Sequence, residues 1–212
     1  MNTEGYEGGI FLLNTKTGKI DEILSLSDYE FIPSDDDAPP LSTLAWAPDG
    51  QSFYMLFFRD RLIKHDLKTG KDEVIYKHPR FQEYILQVSP DGNSLLLGTQ
   101  DQGKKSRLFT IPAKGGDEVE LCRVQEANSF VSACWSPDGK YIYFIERADE
   151  TCLWRIPSTG GKPQKLKTWD NWTDVYGINP DMNQIAISQR VRTTEVREVE
   201  NLSGELDEIF KE

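Results

Sequence analysis

A short bend recurs along this chain, and its recurrence limits the fold more than any other feature. It appears as WAPDGQSFYMLFF from 46, VSPDGNSLLLG from 88, WSPDGKYIYFI from 135 and INPDMNQIAIS from 178. The prolines at 48, 90, 137 and 180 are 42, 47 and 43 residues apart. Pro presets φ for the second position of a turn, Asp bonds nearby backbone, and Gly accepts the conformation needed at the exit. A second mark alternates with the first: NTKTGKI at 14, DLKTGKD at 66, PAKGGDE at 112, PSTGGKP at 157 and NLSGELD at 201. Its glycines suit tight hairpins. A reaction centre needs one such constellation, whereas a scaffold needs the same bend many times.

Between the marks lie short runs rich in β-branched and aromatic residues, including SFYMLFF, RLIKHDL, EVIYK, SLLLGT, RLFTIP, YIYFIE and CLWRIP. These predict strands of about five to seven residues. No sustained helical periodicity is present, so helix is expected to be scarce. Each unit holds four strands, A to D: A ends at the Pro-Asp-Gly bend, B follows it, C precedes the glycine hairpin and D follows that. Four strands in about 40–45 residues is the period of a propeller blade. B strands such as YIYFI at 141–145 are apolar on both faces, as stacked blades require. An immunoglobulin-like sandwich does not predict two alternating turn types. The expected fold is an all-β propeller.

The chain opens with a C–D pair, GIFLLNTKTGKIDEIL, and complete units follow. The expected half-blade spans 8–27, and the blades about 42–78, 84–122, 130–167 and 174–210. The last ends in SGELDEIF, which echoes TGKIDEIL at 17–24. Two architectures meet this census: a tight four-bladed ring with a spare hairpin, or an open arc of a larger propeller. The arc is the expectation, and its open blade edges would favour self-association unless another chain covers them.

The pattern W-S-P-D-G-K-x-I-x-F followed by x-L-W-x-I-P-x-x-G-G-x-P-x-K-L resembles the TolB-type, WD-repeat-like β-propeller repeat of bacterial proteins. Residues 133–166 carry it almost throughout, and 44–76 and 88–121 clearly. The fourth unit departs from it, with Met182 at the bend glycine and Arg197 where strand C carries an aromatic. The resemblance spans roughly 8–202 and is similar to the C-terminal part of a larger propeller. It implies a six- or seven-bladed parent and a non-catalytic interaction, sensory or regulatory surface. It supplies no catalytic motif.

Composition narrows the partners. The 24 basic and 35 acidic residues give a formal charge of −11, which disfavours nucleic acid and anionic membrane surfaces. The longest basic cluster, Lys104, Lys105 and Arg107, is short. Cys122, Cys134 and Cys152 form no CxxC and read as small thiols on strands; with only His65 and His78 beside them, no metal or other cofactor is expected. No apolar run approaches the ~18 residues of a membrane span. The N-terminal MNTEGYEGGIFLL is no secretory signal, so a cytoplasmic location is expected as the chain stands, or a periplasmic one if its true start lies upstream.

Several residues invite a chemical reading. Ser136 and Asp138 suggest a nucleophile and its partner, yet the serine position holds Ala47 and Asn179 in other bends, and the aspartate recurs as Asp49, Asp91 and Asp181. Turn chemistry accounts for that. No G-x-S-x-G elbow is present. Asp35, Asp36 and Asp37 lie in PSDDDAPP, an extended D-to-A loop whose spacing lacks the D-x-[DN]-x-[DN]-G calcium pattern. Trp169, Asp170 and Trp172, in TWDNWTD, lie in the D-to-A loop before the last unit, on the rim where propellers bind; the tryptophans would anchor a sugar or peptide, or plug the core. Phe81 and Phe130 are expected in comparable loops. The sequence therefore points to a non-enzymatic scaffold that binds a protein or small ligand on its rim. The alternatives are an accessory propeller portion of a prolyl-oligopeptidase-like peptidase, detached from its catalytic domain, and a sugar- or metal-dependent propeller enzyme.

Overall fold

The computed structural model describes residues 9–25, 41–57, 61–77, 82–100, 106–124, 129–179, 181 and 184–190, and every element among them is a β-strand. The first is a hairpin of β1 (Gly9–Leu13) and β2 (Ile20–Ser25). Three four-stranded antiparallel meanders follow. The first contains β3 (Leu41–Trp46), β4 (Ser52–Phe57), β5 (Arg61–Asp66) and β6 (Lys71–Lys77). The second contains β7 (Gln82–Val88), β8 (Ser94–Gln100), β9 (Ser106–Pro112) and β10 (Val119–Val124). The third contains β11 (Ser129–Trp135), β12 (Tyr141–Arg147), β13 (Thr151–Pro157) and β14 (Gln164–Trp169). A last antiparallel pair, β15 (Trp172–Ile178) and β16 (Ile185–Arg190), corresponds to strands A and B of a further unit. The C and D strands expected there fall outside the described residues.

The A strands lie in succession, β3 beside β7, β7 beside β11 and β11 beside β15. Polar side chains stitch this row. Gln87 Nε2 donates to the Ala133 carbonyl at 2.8 Å, and the Val175 amide donates to Ser132 Oγ at 2.9 Å. Sheets side by side through their first strands, with faces stacked, are the blades of a β-propeller.

The alternation of side chains along a strand explains why the B strands are apolar on both faces. In β4, Phe53, Met55 and Phe57 face the β1–β2 hairpin with Leu24 and Ile63. Tyr54 and Leu56 face the second blade, packing with Leu95, Leu97 and Phe109. Leu96 and Leu108 then meet Phe130, Ile142 and Phe144, while Tyr143, Ile145 and Leu153 meet Val175. Each fully buried side chain of this size contributes about 1.5–3 kcal/mol. The blades therefore cohere mainly by stacking.

One position is filled differently in each blade. Across the A–B pairs, Thr43 lies opposite Leu56, Ile85 opposite Gly98 and Ser132 opposite Ile145. A small residue in one strand always faces a large one in the other. The second blade reverses the order, and a Cβ added to Gly98 would lie 2.9 Å from Ile85 Cβ.

The bends form through local bonds. Asp138 Oδ1 accepts from Ser136 Oγ at 2.7 Å and from the Lys140 amide at 3.1 Å. Gly139 takes φ 71°, a left-handed conformation that a side chain would strain. Successive bends also touch: an added Cβ on Gly92 would reach Pro48 at 3.4 Å, and one on Gly139 would reach Pro90 at 3.9 Å.

Candidate functional site

The blades carry two unlike rims. One collects the Pro-Asp-Gly bends and the C–D hairpins, and the other collects the B–C and D–A loops.

On the first rim, the hydroxyls and carboxylates serve their own turns. Ser136 is fully buried; its hydroxyl donates to Asp138 and accepts from the Tyr141 amide at 2.9 Å. Ser89 repeats this, donating to Asp91 Oδ1 at 2.6 Å and accepting from the Ser94 amide at 2.9 Å. These donors stabilise the ionised carboxylates. The Ser89 hydroxyl, followed by Asn93, holds Asp91 down to about 2, and the Ser136 hydroxyl followed by the Lys140 amide holds Asp138 below its ordinary value. A carboxylate so depressed is a poor base, and a serine donating to it inside a turn is no nucleophile. In the C–D hairpin, Asp66 Oδ1 likewise accepts from Thr69 N, Thr69 Oγ1 and Lys68 N at 2.7, 2.8 and 3.0 Å.

The second rim is described where the third blade meets the last pair. Trp169 closes β14, half-buried, and packs on the core of Cys134, Tyr143, Ile145, Leu153 and Val175. It therefore helps to plug the space between blades. Asp170 is exposed, and Trp172 opens β15 opposite Arg190. The Asn171 carbonyl accepts from Thr173 Oγ1 at 3.2 Å, which tightens the loop. Beside it, Arg147 Nη2 at the end of β12 donates to Asp174 Oδ1 at 3.2 Å, joining the third blade to β15. The structure thus places Trp169 and Trp172 on the two strands flanking a short turn that carries Asp170, next to an ion pair that no sequence pattern marks.

Phe130 requires a correction of its placement. It was expected in a rim loop, but it lies within β11 at 2% exposure and packs edge-on against Phe144, ring centroids 5.3 Å apart. A β-bulge between Phe130 and Ser132 turns Phe130 toward the second blade, so it belongs to the core. Phe81 and Asp35, Asp36 and Asp37 lie outside the described residues.

One pair escaped sequence reasoning. His65 Nδ1 lies 2.7 Å from Asp72 Oδ1, and its ring stacks on Phe53 at 4.9 Å. The arrangement resembles an oriented catalytic base, yet Nε2 is buried without a hydrogen-bond partner and His65 is 3% exposed beneath apolar packing. The residues are seven apart in sequence on adjacent strands, so only the register reveals them.

Among the described residues, no group of three or more His, Cys, Asp or Glu side chains is placed to hold a metal ion. The three cysteines are free; burial, then Glu146 and Glu120, pushes Cys122 up to about 12, and burial pushes Cys134 up to about 11. Among the same residues, no helix is long and apolar enough to cross a membrane.

No protein-family model and no curated protein matches the chain. Its structure is similar to that of a TolB protein from Agrobacterium tumefaciens, with a TM-score of 0.62 and 16% identity over 90% of this chain and 69% of that one. It is also similar to the hydrazine synthase of Kuenenia stuttgartiensis, with a TM-score of 0.55 and 19% identity over 68% of this chain and 48% of that one. The β-propeller domain of the trilobed protease from Pyrococcus furiosus gives a TM-score of 0.52 and 10% identity over 69% of this chain and 47% of that domain. At such identities the likeness establishes a TolB-like propeller fold and nothing about activity. The chain spans about half the length of the latter two.

Proposed function

We propose that this chain is a non-enzymatic β-propeller scaffold that engages a protein or small ligand through the rim carrying the β14–β15 loop. The observation that carries this reading is a division of labour. The recurrent Ser and Asp residues are committed to their own bends, whereas Trp169, Asp170 and the Arg147–Asp174 pair gather on the opposite rim. An exposed carboxylate, an indole and a neighbouring guanidinium offer a mixed polar and aromatic surface of the kind partners dock on. Sensory or regulatory use within a larger protein is part of the same proposal, since propellers of this fold host many tasks.

The test compares the full chain with Asp170→Lys, each immobilised and exposed to lysate, and screens the soluble chain against glycosidase, lyase and peptidase substrates. A partner retained by the native chain and lost by the variant supports the proposal. Turnover of a substrate with no retained partner overturns it.

A further inference from the structure

Three of the bends carry the same dipeptide, Asp49–Gly50, Asp91–Gly92 and Asp138–Gly139, while the fourth has Met182 in place of the glycine. An aspartate followed by glycine can react with its own backbone, because no side chain shields the next amide nitrogen from the carboxyl carbon. The three bends share one backbone frame. Each glycine amide donates to the carbonyl three residues back, at 3.0 Å for Gly50 to Ala47, 2.9 Å for Gly92 to Ser89 and 2.9 Å for Gly139 to Ser136. The glycines take φ of 66°, 74° and 71°. Neither the reacting pair nor the backbone shape tells the three apart.

What differs is how each carboxylate is held and how much room its glycine has. Asp91 Oδ1 accepts from the Ser89 hydroxyl at 2.6 Å and the Asn93 amide at 3.0 Å, and its Oδ2 accepts from Asn93 Nδ2 at 2.9 Å. Asp138 Oδ1 accepts from the Ser136 hydroxyl and the Lys140 amide, and the Lys140 ammonium stands 3.5 Å from Oδ2. In the first bend the serine position is Ala47, which has no hydroxyl to give. Among the described residues, Asp49 accepts only from the Gln51 amide, at 2.8 Å. Gly92 and Gly139 are half-buried near Pro48 and Pro90, whereas Gly50 is exposed, with no described atom within 4 Å of an added Cβ.

We propose that Asp49–Gly50 is a site of covalent self-modification, where the chain closes to a succinimide and reopens as isoaspartate, and that Ser89 and Ser136 protect the other two bends. In the first step the Gly50 nitrogen attacks Asp49 Cγ. The N–Cγ bond forms, the Cγ–OH bond breaks, and the hydroxyl leaves as water with the amide proton. Water then adds back at one imide carbonyl. Cleavage of the N–Cγ bond restores aspartate; cleavage at the former backbone carbonyl leaves the chain running through the Asp49 side chain. Isomerisation consumes no oxidant or cofactor. The reactive form is the neutral carboxyl, since a carboxylate has no hydroxyl to lose, so donors that favour the ionised form oppose the reaction. With Asp91 held at about 2, roughly sixty-fold fewer of its carboxyls are neutral at mildly acidic pH than for a carboxyl at the ordinary 3.8. The serine donors lower Asp138 in the same direction. The product adds one atom to the main chain of the first bend. Because Pro48 lies near Gly92, that disturbance reaches the second blade.

The test ages the full chain at mildly acidic pH and locates isoaspartate by peptide mapping. Methyl labelling by an isoaspartate-specific carboxyl methyltransferase gives a second readout. Isoaspartate at position 49 should exceed that at 91 or 138 by about tenfold or more. The same chain aged in urea should lose this ranking, since the three reacting pairs are then equivalent. Ala47→Ser should bring position 49 down toward the other two, and Ser136→Ala should raise position 138; the bend at Ala47 already folds without the hydroxyl. Equal yields at the three bends of the folded chain, a lower yield at 49, or an unchanged ranking in urea overturns the proposal. An Ala47→Ser chain that isomerises at 49 as fast as its parent overturns it too.

Discussion

Exchanging Gly98 and Ile85 for the residues of another blade tests whether blade geometry dictates the A–B pairs. Gly98 has no left-handed backbone requirement, so on conformational grounds alone a side chain there would stabilise by about 0.4–1 kcal/mol. The structure predicts the opposite sign. A Cβ would stand 2.7 Å from Ile85 Cδ1 and 2.9 Å from its Cβ, and the latter is anchored to the backbone and cannot swing away. Gly98→Leu therefore overpacks the site and should destabilise by about 2–3 kcal/mol net. Ile85→Thr trims a buried side chain and places a hydroxyl in an apolar site, costing about 1–2 kcal/mol. The double variant recreates the Thr43–Leu56 pair of the first blade, so it should be more stable than the sum of the singles by about 1–3 kcal/mol. Urea denaturation followed by tryptophan fluorescence measures each corner of the cycle. A Gly98→Leu chain as stable as the parent, or additive singles, would refute the claim that small and large residues are matched across β7 and β8.

Three further outcomes are expected. The depressed Asp91 carboxylate gives stability that is fully present above the unfolded value near 3.8 and lost as pH falls toward about 2; Asp91→Asn should lose stability at pH 7 and flatten acid unfolding across that window. Arg147→Met should destabilise by about 1–2 kcal/mol, because Asp174 is left partly buried without its cation, and Asp174→Leu in the same chain should recover part of that loss, both read by thermal unfolding. Cys122 and Cys134, raised to about 12 and 11, should stay unlabelled by a thiol reagent at pH 8 in the folded chain and react once urea unfolds it.

The bends were legible in the sequence because everything that makes them is local. Ser136, Asp138, Gly139 and Tyr141 lie within six residues, and the bonds join those same residues. Strand boundaries followed from the same punctuation. What joins one blade to the next was not legible. Arg147 and Asp174 are 27 residues apart, and Gln87 meets Ala133 across 46, with no short pattern to announce either pair. Phe130 shows the cost of reading by loop position: its place in the sequence points to a rim, whereas the bulge in β11 turns it into the core. Trp169 packs one side on the inter-blade core and keeps part of its indole at the rim, a placement set by how the third blade meets β15 and by no local pattern.

Gly92 and Gly139 resting near Pro48 and Pro90 of the bends before them has a consequence for how such a chain tolerates change. These bends work like interlocked teeth: lengthening one disturbs the next, so added residues are poorly tolerated in them. Growth is freer at the C–D hairpins, where a Cβ added at Gly70 or Gly160 would meet open space, on the opposite edge, or by the gain and loss of whole blades. A peptide tag spliced between Glu150 and Thr151 should leave the fold intact, whereas the same tag after Gly92 should unseat two neighbouring blades at once.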